Sequence, residues 1–254
     1  LTRGAALALL TKFYLNTRDW QNAATTAQEI INSGVYQLDD DYGSIFKQTS
    51  ENSEEIIWGI PYQINQNNEG NNFNSLTLPG NIQLEGSQTM FPARMVVPAA
   101  FVESFPAGDV RRNEFLLEYP TNNGGVASLP NGFYVPNKYG QDPNANGGNG
   151  CTDYIAIRYA DILLSRAEAL NELNGPSQES IDLINQVRVR ANAPLLQLSD
   201  LGSQQALRDA ILQERAWEFH LEGLRRQDLI RQGRLIPDAQ ARGKAAMDFH
   251  QLFP

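Results

Sequence analysis

The hydrophobic pattern at the start of the chain predicts a hairpin of two helices. Apolar residues recur at helical spacing through TRGAALALLTKFYLN and again through DWQNAATTAQEIINSG. Asp19 stands where the second helix needs an N-cap, and Gly34 can end that helix because glycine adopts positive φ freely. The residues expected at the helix contact are Leu7, Leu10, Tyr14, Ala23, Ala27 and Ile30. This arrangement of apolar and small residues is typical of a tetratricopeptide hairpin.

The pattern changes after this hairpin. EEIIWGIPY, residues 54–62, is rich in β-forming residues and predicts a short strand that ends at Pro61. Residues 63–153 are rich in Asn, Gly, Pro and Gln, which favours turns and irregular loops, with one short helix within residues 98–116. Loops of this length in compact proteins are usually functional or disordered. The aromatic residues among them argue against disorder, and they are Phe73, Phe91, Phe101, Phe133, Tyr134 and Tyr139.

Residues 154–235 return to a helical pattern. RYADILLSRAEALNEL predicts one helix over residues 158–173, which ends at a Gly-Pro break, and QESIDLINQVRVRA predicts the next. A long helical stretch then covers residues 204–235. Charges interrupt the apolar face of the first of these helices, namely Arg158, Asp161, Arg166, Glu168 and Glu172. A helix that packs in a core seldom carries so many charges, so their role needs an explanation.

Composition and charge exclude several classes of protein. The 254 residues are 41% hydrophobic and 19% charged, which is ordinary for a globular chain with a sizeable core. The net charge of −9 argues against a general nucleic-acid binder and against a protein held by anionic lipid. No apolar run is long enough to cross a membrane. The single cysteine, Cys151, cannot form an internal disulfide, so it leaves the cellular compartment open.

The carboxylates near the end of the chain have the spacing of one helical face but not of a catalytic site. Glu214, Glu218 and Glu222 follow one another at i,i+4. A di-metal helix site requires Glu-x-x-His, which His220 and His250 do not supply, and a glycosidase requires two carboxylates across a cleft. We therefore predict a structural network in which arginines of one helix neutralise carboxylates of the next. No phosphate loop, dinucleotide fingerprint, nucleophile elbow or zinc spacing occurs, so we predict that the chain is not an enzyme.

One loop fits the template of a calcium site. In DPNANGGNGCTD the candidate ligands are Asp142, Asn144, Asn146 and Asp153. The last ligand is Asp where a bidentate Glu is usual, and no helix leads into the loop. We therefore do not favour a metal site, and we expect no cofactor unless calcium binds here.

The loop-rich segment has the composition of a sugar-binding surface. Aromatic faces pack against the C–H patches of sugars, while amides and arginines bond the hydroxyl groups. The residues that we predict as ligand contacts are Asn72, Phe73, Asn74, Arg94, Tyr134 and Tyr139.

Longer motifs carry a resemblance to a known family. IRYADILLSRAEALNEL, INQVRVRA and LRDAILQERAWEFHLEGLRRQDLIRQGRL, in this order, closely resemble the SusD/RagB family of outer-membrane nutrient-binding lipoproteins. The helical hairpin at the start and the segment YGSIFKQTSENSEEIIWGIPY are similar to family segments in the same order. The resemblance is weakest between residues 63 and 151.

The resemblance implies a mainly α fold of tetratricopeptide-like hairpins, with a long loop-rich insertion and a few short strands. It implies one SusD-like domain, incomplete at both ends, with a hairpin and strand in residues 1–62, a ligand-side insertion in 63–153, hairpins in 154–235 and a tail in 236–254. The charged helix would then be framework. The implied role is to bind oligosaccharides, or peptides in some members, without cleaving them.

The resemblance also implies a location and a partner. The protein would lie on the extracellular face of the outer membrane of a Gram-negative bacterium of the Bacteroidota type. It would deliver its ligand to a SusC-like TonB-dependent transporter, and it would touch the membrane only through an N-terminal lipid anchor outside this chain. Two other functions remain open: a tetratricopeptide adaptor that binds only protein and, less favoured, a hydrolase. Binding of a glycan by the loop aromatics distinguishes the first function from both.

Overall fold

The computed structural model of the chain describes residues 2–47, 50, 53–64, 70–91 and 95–251. The expected fold class is confirmed, because helices dominate and the strands are short. The helices are α1 (Arg3–Asn16), α2 (Trp20–Asn32), α3 (Phe73–Thr77), α4 (Ala99–Glu103), α5 (Tyr159–Asn174), α6 (Gln178–Arg190), α7 (Gln204–Glu218), α8 (Arg225–Arg231) and α9 (Leu235–Ala241). The strands are β1 (Ile56–Ile60), β2 (Phe115–Leu116), β3 (Glu118–Pro120), β4 (Val126–Ser128), β5 (Val135–Pro136) and β6 (Tyr154–Arg158).

The chain forms two compact units, each assembled from segments that are distant in sequence. Unit 1 comprises residues 1–35, 160–186 and 196–254, and it contains the helical hairpin and most of the long helices. Unit 2 comprises residues 36–159 and 187–195, and it contains the strands and the loop-rich segment. Among the described residues, no helix is both long and apolar enough to cross a membrane.

The hairpin of α1 and α2 forms as its pattern predicts. The Asp19 side chain accepts a hydrogen bond from the Asn22 N–H at 3.3 Å and caps α2. Ala23, Ala27 and Ile30 are buried, as expected. The expectation for Leu10 was wrong, because its side chain is 43% exposed. Apolar residues are spread around the circumference of α1 rather than gathered on one side, so periodicity alone could not identify its inner face, which buries Ala5, Ala8, Thr11 and Leu15.

One segment predicted as helix is a strand. Residues 154–158 form β6, which pairs antiparallel with β1 through Ile56 and Arg158, Gly59 and Ile155, and Ile60 and Tyr154. Helix α5 therefore begins at Tyr159. The alternation of buried Ile155 and Ile157 with more exposed neighbours fits a strand, but only a partner about 100 residues earlier stabilises it.

The long helical stretch at the end of the chain is broken twice, which the sequence did not predict. Helix α7 ends at Glu218, and the following turn places Leu221 at φ 64° and Gly223 at φ 79° before α8 begins. Gly233, at φ 66°, separates α8 from α9. The predicted i,i+4 pair of Glu218 and Glu222 is therefore wrong, because Glu222 lies outside the helix.

Unit 2 is held together by aromatic packing rather than by extended sheets. One cluster is formed by Tyr42, Ile45, Phe46, Tyr139 and Ile155, with Ile56 and Phe73 against it. A second is formed by Leu78, Ile82, Tyr119 and Val135. These clusters bury the aromatic residues at intervals along the loops, which explains how so irregular a segment keeps a defined course.

Candidate functional site

The charges of α5 and α7 form a buried network in unit 1. The Arg215 guanidinium donates to Asp161 at 2.8 Å and to Asp228 at 2.9 Å, and all three side chains are 2% exposed. Lys12 donates to the other oxygen of Asp161 at 2.6 Å. Burial alone would raise the pKa of Asp161, but the charges and hydrogen bonds of Lys12 and Arg215 hold it well below its ordinary value. These groups neutralise one another, as predicted.

Arg231 extends the network to α8. It donates to both carboxylate oxygens of Glu168, at 2.6 and 2.8 Å, and to Asp228 at 2.7 Å. Its remaining amino group donates to the Asn16 side chain at 2.8 Å, and Gln232 also donates to Glu168. Burial would lower the pKa of Arg231, but Glu168 and Asp228 raise it above its ordinary value. The network therefore cross-links α1, α5, α7 and α8, and its carboxylates are paired with cationic side chains.

A second buried charge cluster lies in unit 2. Glu55 accepts from Arg158 at 2.7 Å and from Arg190 at 3.1 Å. Both guanidinium groups also lie over the Tyr42 ring, at 5.8 and 4.9 Å from its centroid. Lys138 donates to the Tyr42 hydroxyl at 2.8 Å. These contacts fix the residues around Tyr42 and account for the buried arginines as framework.

Three segments of the loop-rich insertion come together in unit 2. We call them the loop cluster, and they are residues 71–77, 88–91 and 146–150. Asn71 and Gly150 exchange backbone hydrogen bonds at 3.0 and 2.7 Å, and the Asn71 side chain donates to the Thr152 carbonyl. The Thr89 N–H donates to the Gly147 carbonyl at 2.6 Å. Backbone pairing thus joins segments more than 50 residues apart.

Phe91 forms the exposed face of the loop cluster. Its N–H donates to the Ser75 carbonyl at 3.0 Å, and the Ser75 hydroxyl donates to the Gly148 carbonyl. Its ring edge lies against Gly148, so closely that a Cβ at that glycine would stand 3.2 Å from Cε2 of the ring. The Phe91 side chain is nevertheless 42% exposed, and Asn72 and Asn146 are exposed in the adjoining segments. An apolar ring with planar amides nearby is the combination that binds sugars.

Gln88 gives the loop cluster a buried polar group. The side chain is 2% exposed, and neither of its amide atoms has a hydrogen-bond partner within the described part of the chain. Buried amides are almost always bonded, because an unpaired one costs about 1–3 kcal/mol. The Gln88 amide is thus a buried polar group without an internal partner in the described part of the chain.

The structure brings some of the predicted ligand residues together and buries others. Phe73 packs edge-on against Tyr139, with ring centroids 5.0 Å apart, and Tyr139 is only 7% exposed. Asn74 is buried, whereas Asn72 is exposed. Tyr134 is half-buried and its backbone pairs with that of Val97 at 2.9 and 3.0 Å.

Arg94, the remaining predicted contact, lies outside the described residues. The prediction did not include Phe91 or Gln88 among the ligand contacts. The aromatic composition of the segment pointed to Phe91 as one of several possible contacts. Its exposure, seen in the structure alone, distinguishes it from buried aromatic residues such as Tyr139.

The candidate calcium ligands are placed as follows. Asp142 is buried, and its carboxylate accepts from the N–H groups of Asn144, at 2.8 Å, and Cys151, at 2.5 Å. Asp153 accepts from the Tyr62 N–H at 3.0 Å, while Asn146 is exposed. Within the described ranges, no group of three or more His, Cys, Asp or Glu side chains is arranged to hold a metal ion. The Asp142 carboxylate thus stabilises the turn that presents the loop cluster.

Residues 18–250 match the family model described as the SusD family. The chain belongs to the SusD family. Among the curated relatives, SusD-like protein P25 of Formosa agariphila is 28% identical over 94% of this chain and 51% of the relative. SusD-like protein P2 of the same organism is 30% identical over 91% of this chain and 50% of the relative. This SusD-family chain therefore spans about half the length of the curated relatives that it matches.

Solved structures agree with the SusD-family fold. A SusD homologue from Bacteroides thetaiotaomicron matches with a TM-score of 0.81 and 25% identity, covering 95% of this chain and 55% of that one. Surface glycan-binding protein A from the same organism, solved in complex with laminarihexaose, matches with a TM-score of 0.72 and 22% identity. The latter match covers 93% of this chain and 56% of the other, and at this identity it supports the fold alone.

Proposed function

We propose that the full-length protein captures an oligosaccharide at the bacterial surface and passes it on without cleaving it. Family membership supports a binding role, and structural neighbours include a laminarin-binding SusD-like protein and a surface glycan-binding protein in complex with laminarihexaose. The buried network of Asp161, Glu168, Arg215, Asp228 and Arg231 in unit 1 supplies a complementary argument, because its members are charged side chains. They neutralise one another in buried pairs, which suits a scaffold rather than acid–base catalysis.

The exposed Phe91 ring in the loop cluster is the observation that carries this proposal. A phenyl face of this exposure covers the C–H side of a pyranose, and the amides of Asn72 and Asn146 are suited to bond its hydroxyl groups. The contact with Gly148 fixes the ring from behind, so little conformational entropy is lost when a ligand binds.

The location and partner follow from the same proposal. We place the protein on the extracellular face of the outer membrane of a Bacteroidota-type bacterium, held there by a lipid anchor. There it would hand the oligosaccharide to a SusC-like TonB-dependent transporter. The matched relatives from Formosa and the neighbours from Bacteroides support this placement.

Calorimetric titration of the full-length protein against a panel of oligosaccharides and peptides tests the proposal, with laminarihexaose as the first glycan. We expect saturable binding of a glycan, weakened about 5- to 150-fold in Phe91→Ala because one aromatic platform contributes about 1–3 kcal/mol. Phe13→Ala is the matched control, since Phe13 is a 60% exposed phenylalanine of unit 1. A folded protein that binds peptides and ignores every glycan would contradict the proposal.

A further inference from the structure

A cavity of about 310 Å³ is formed within unit 1 and shares no residue with the loop cluster. Its volume is at the lower end of the range of about 300–1,000 Å³ that is usual for small-ligand sites. It is lined by Arg18, Trp20, Glu172, Gln205, Arg208, Arg231, Gln232 and Gly233. The lining is polar except for the indole, so a ligand that fits it must be polar with one apolar face.

The charges that line this cavity leave one cation unmatched. Arg208 donates to both oxygens of Glu172, at 2.6 and 2.7 Å, so this pair is neutral. Arg231 is neutralised by Glu168 and Asp228. Among the described residues, no carboxylate lies within ion-pairing distance of the Arg18 guanidinium, and that side chain is exposed. The cavity therefore carries an excess positive charge in a chain whose net charge is −9.

Arg18 is held in place by an unusual backbone. It follows the end of α1 at φ 61°, a left-handed conformation that glycine or asparagine normally occupies. Its guanidinium donates a hydrogen bond to the Arg231 carbonyl at 2.8 Å, which orients the group at the cavity. Within the part of the chain that the structure describes, its other N–H donors have no partner, and their planar arrangement matches a carboxylate.

Trp20 supplies the apolar face of the cavity. Its side chain is half-buried and packs against the core formed by Leu15, Ala23, Ala24 and Ala169. The indole is thus fixed two residues from Arg18, with its remaining surface facing the cavity. An aromatic face beside a guanidinium suits a sugar ring that bears an acidic group, because the ring stacks while the acid pairs.

We propose that this cavity is a second sugar site that selects a pyranose bearing a carboxylate, such as a uronic acid unit of a glycan. Arg18 binds the carboxylate and Trp20 stacks on the ring. The site goes beyond glycan capture by the loop cluster, and the two surfaces share no residue, so each can fail without the other.

The three tryptophans of the chain provide the readout for a test. In ¹⁵N-labelled full chain, Trp20→Phe assigns the Trp20 indole signal. Sodium glucuronate is then titrated at constant ionic strength beside glucose and sodium acetate. We expect a saturable shift of the Trp20 signal with glucuronate, and little change with glucose or acetate at equal concentration.

The variants isolate the carboxylate contact. Arg18→Gln keeps the backbone strain and removes the charge, so the dissociation constant for glucuronate should rise at least about tenfold. The dissociation constant of Arg18→Lys should lie between those of the wild type and Arg18→Gln, because lysine keeps the charge but lacks the planar pair of donors. Arg3→Gln is the control for charge, since Arg3 is an 86% exposed arginine outside the cavity, and it should change the constant less than about twofold.

Three results would overturn the proposal. If glucose shifts the Trp20 signal as much as glucuronate does, the site does not recognise the carboxylate. If acetate does so, the site does not recognise the sugar ring. If folded Arg18→Lys and Arg18→Gln both bind glucuronate with an unchanged dissociation constant, Arg18 does not bind the carboxylate. Thermal unfolding of each variant, measured alongside, confirms that the comparison is made on folded protein.

Discussion

The Arg231 side chain is only 2% exposed and bonds to residues of other helices. Its removal should therefore lower the free energy of unfolding considerably. In Arg231→Met, Glu168 would keep the Gln232 amide as the remaining donor among those described above. The Asn16 side-chain oxygen would lose the guanidinium that donates to it. Asp228 would still be paired with Arg215. The principal penalty is therefore one buried carboxylate without its counter-charge.

The size of the penalty follows from that count. Breaking a buried pair by removing one partner costs about 3–5 kcal/mol, because the remaining charge stays desolvated. We expect the free energy of unfolding of Arg231→Met to fall by about that amount. In the double variant Arg231→Met/Glu168→Leu both charges of the main pair are gone, so about 2 kcal/mol or more should be regained.

Urea unfolding followed by tryptophan fluorescence measures this change in unit 1. A Trp58→Phe background removes the tryptophan of unit 2, so that Trp20 and Trp217 report on unit 1 alone. Arg3→Met is the matched control, because the Arg3–Glu29 pair is exposed and its atoms lie 3.5 Å apart. Removal of such a pair should change stability by less than about 1 kcal/mol.

The reasoning is refuted if Arg231→Met costs no more than the control Arg3→Met. If Arg231→Met/Glu168→Leu is no more stable than Arg231→Met, the reasoning is also contradicted. The loss of stability would then come from the packing of the Arg231 side chain rather than from the unpaired Glu168 carboxylate.

Three further predictions follow from individual contacts. The pKa of Asp161 is lowered in the folded state, so its carboxylate stabilises the fold at pH values above the ordinary pKa of 3.8, and this stabilisation is lost as the pH falls below 3.8. The free energy of unfolding should therefore fall more steeply between pH 6 and pH 3 in the wild type than in Asp161→Asn. Gln88→Leu should raise the melting temperature, since it removes a buried amide that has no partner in the described part of the chain and costs about 1–3 kcal/mol; a lower melting temperature would contradict this. Gly86→Ala places a Cβ 2.6 Å from the Pro143 carbonyl oxygen, so its melting temperature should fall, whereas an unchanged value would show that this loop yields freely.

Local pattern was sufficient for the parts of the chain whose neighbours lie close in sequence. The hairpin of α1 and α2 could be predicted because Asp19 caps the second helix through Asn22, three residues away. The fold class and the family followed from long ordered motifs, and the family model confirms them. The charges of α5 were predicted as framework, and the pairing of Asp161 with Arg215 agrees with this.

Tertiary structure decided the features that depend on distant partners. Residues 154–158 carry an ambiguous apolar pattern, and they form a strand because β1 offers its hydrogen bonds across the fold. The exposure of Phe91 beside buried Tyr139 could not be read from composition, since both are aromatic residues in loops of similar sequence. Likewise, Arg18 belongs to a cavity only because α7 and α8 fold back beside the α1–α2 turn. A local sequence determines propensity and capping, whereas burial and convergence are properties of the assembled chain.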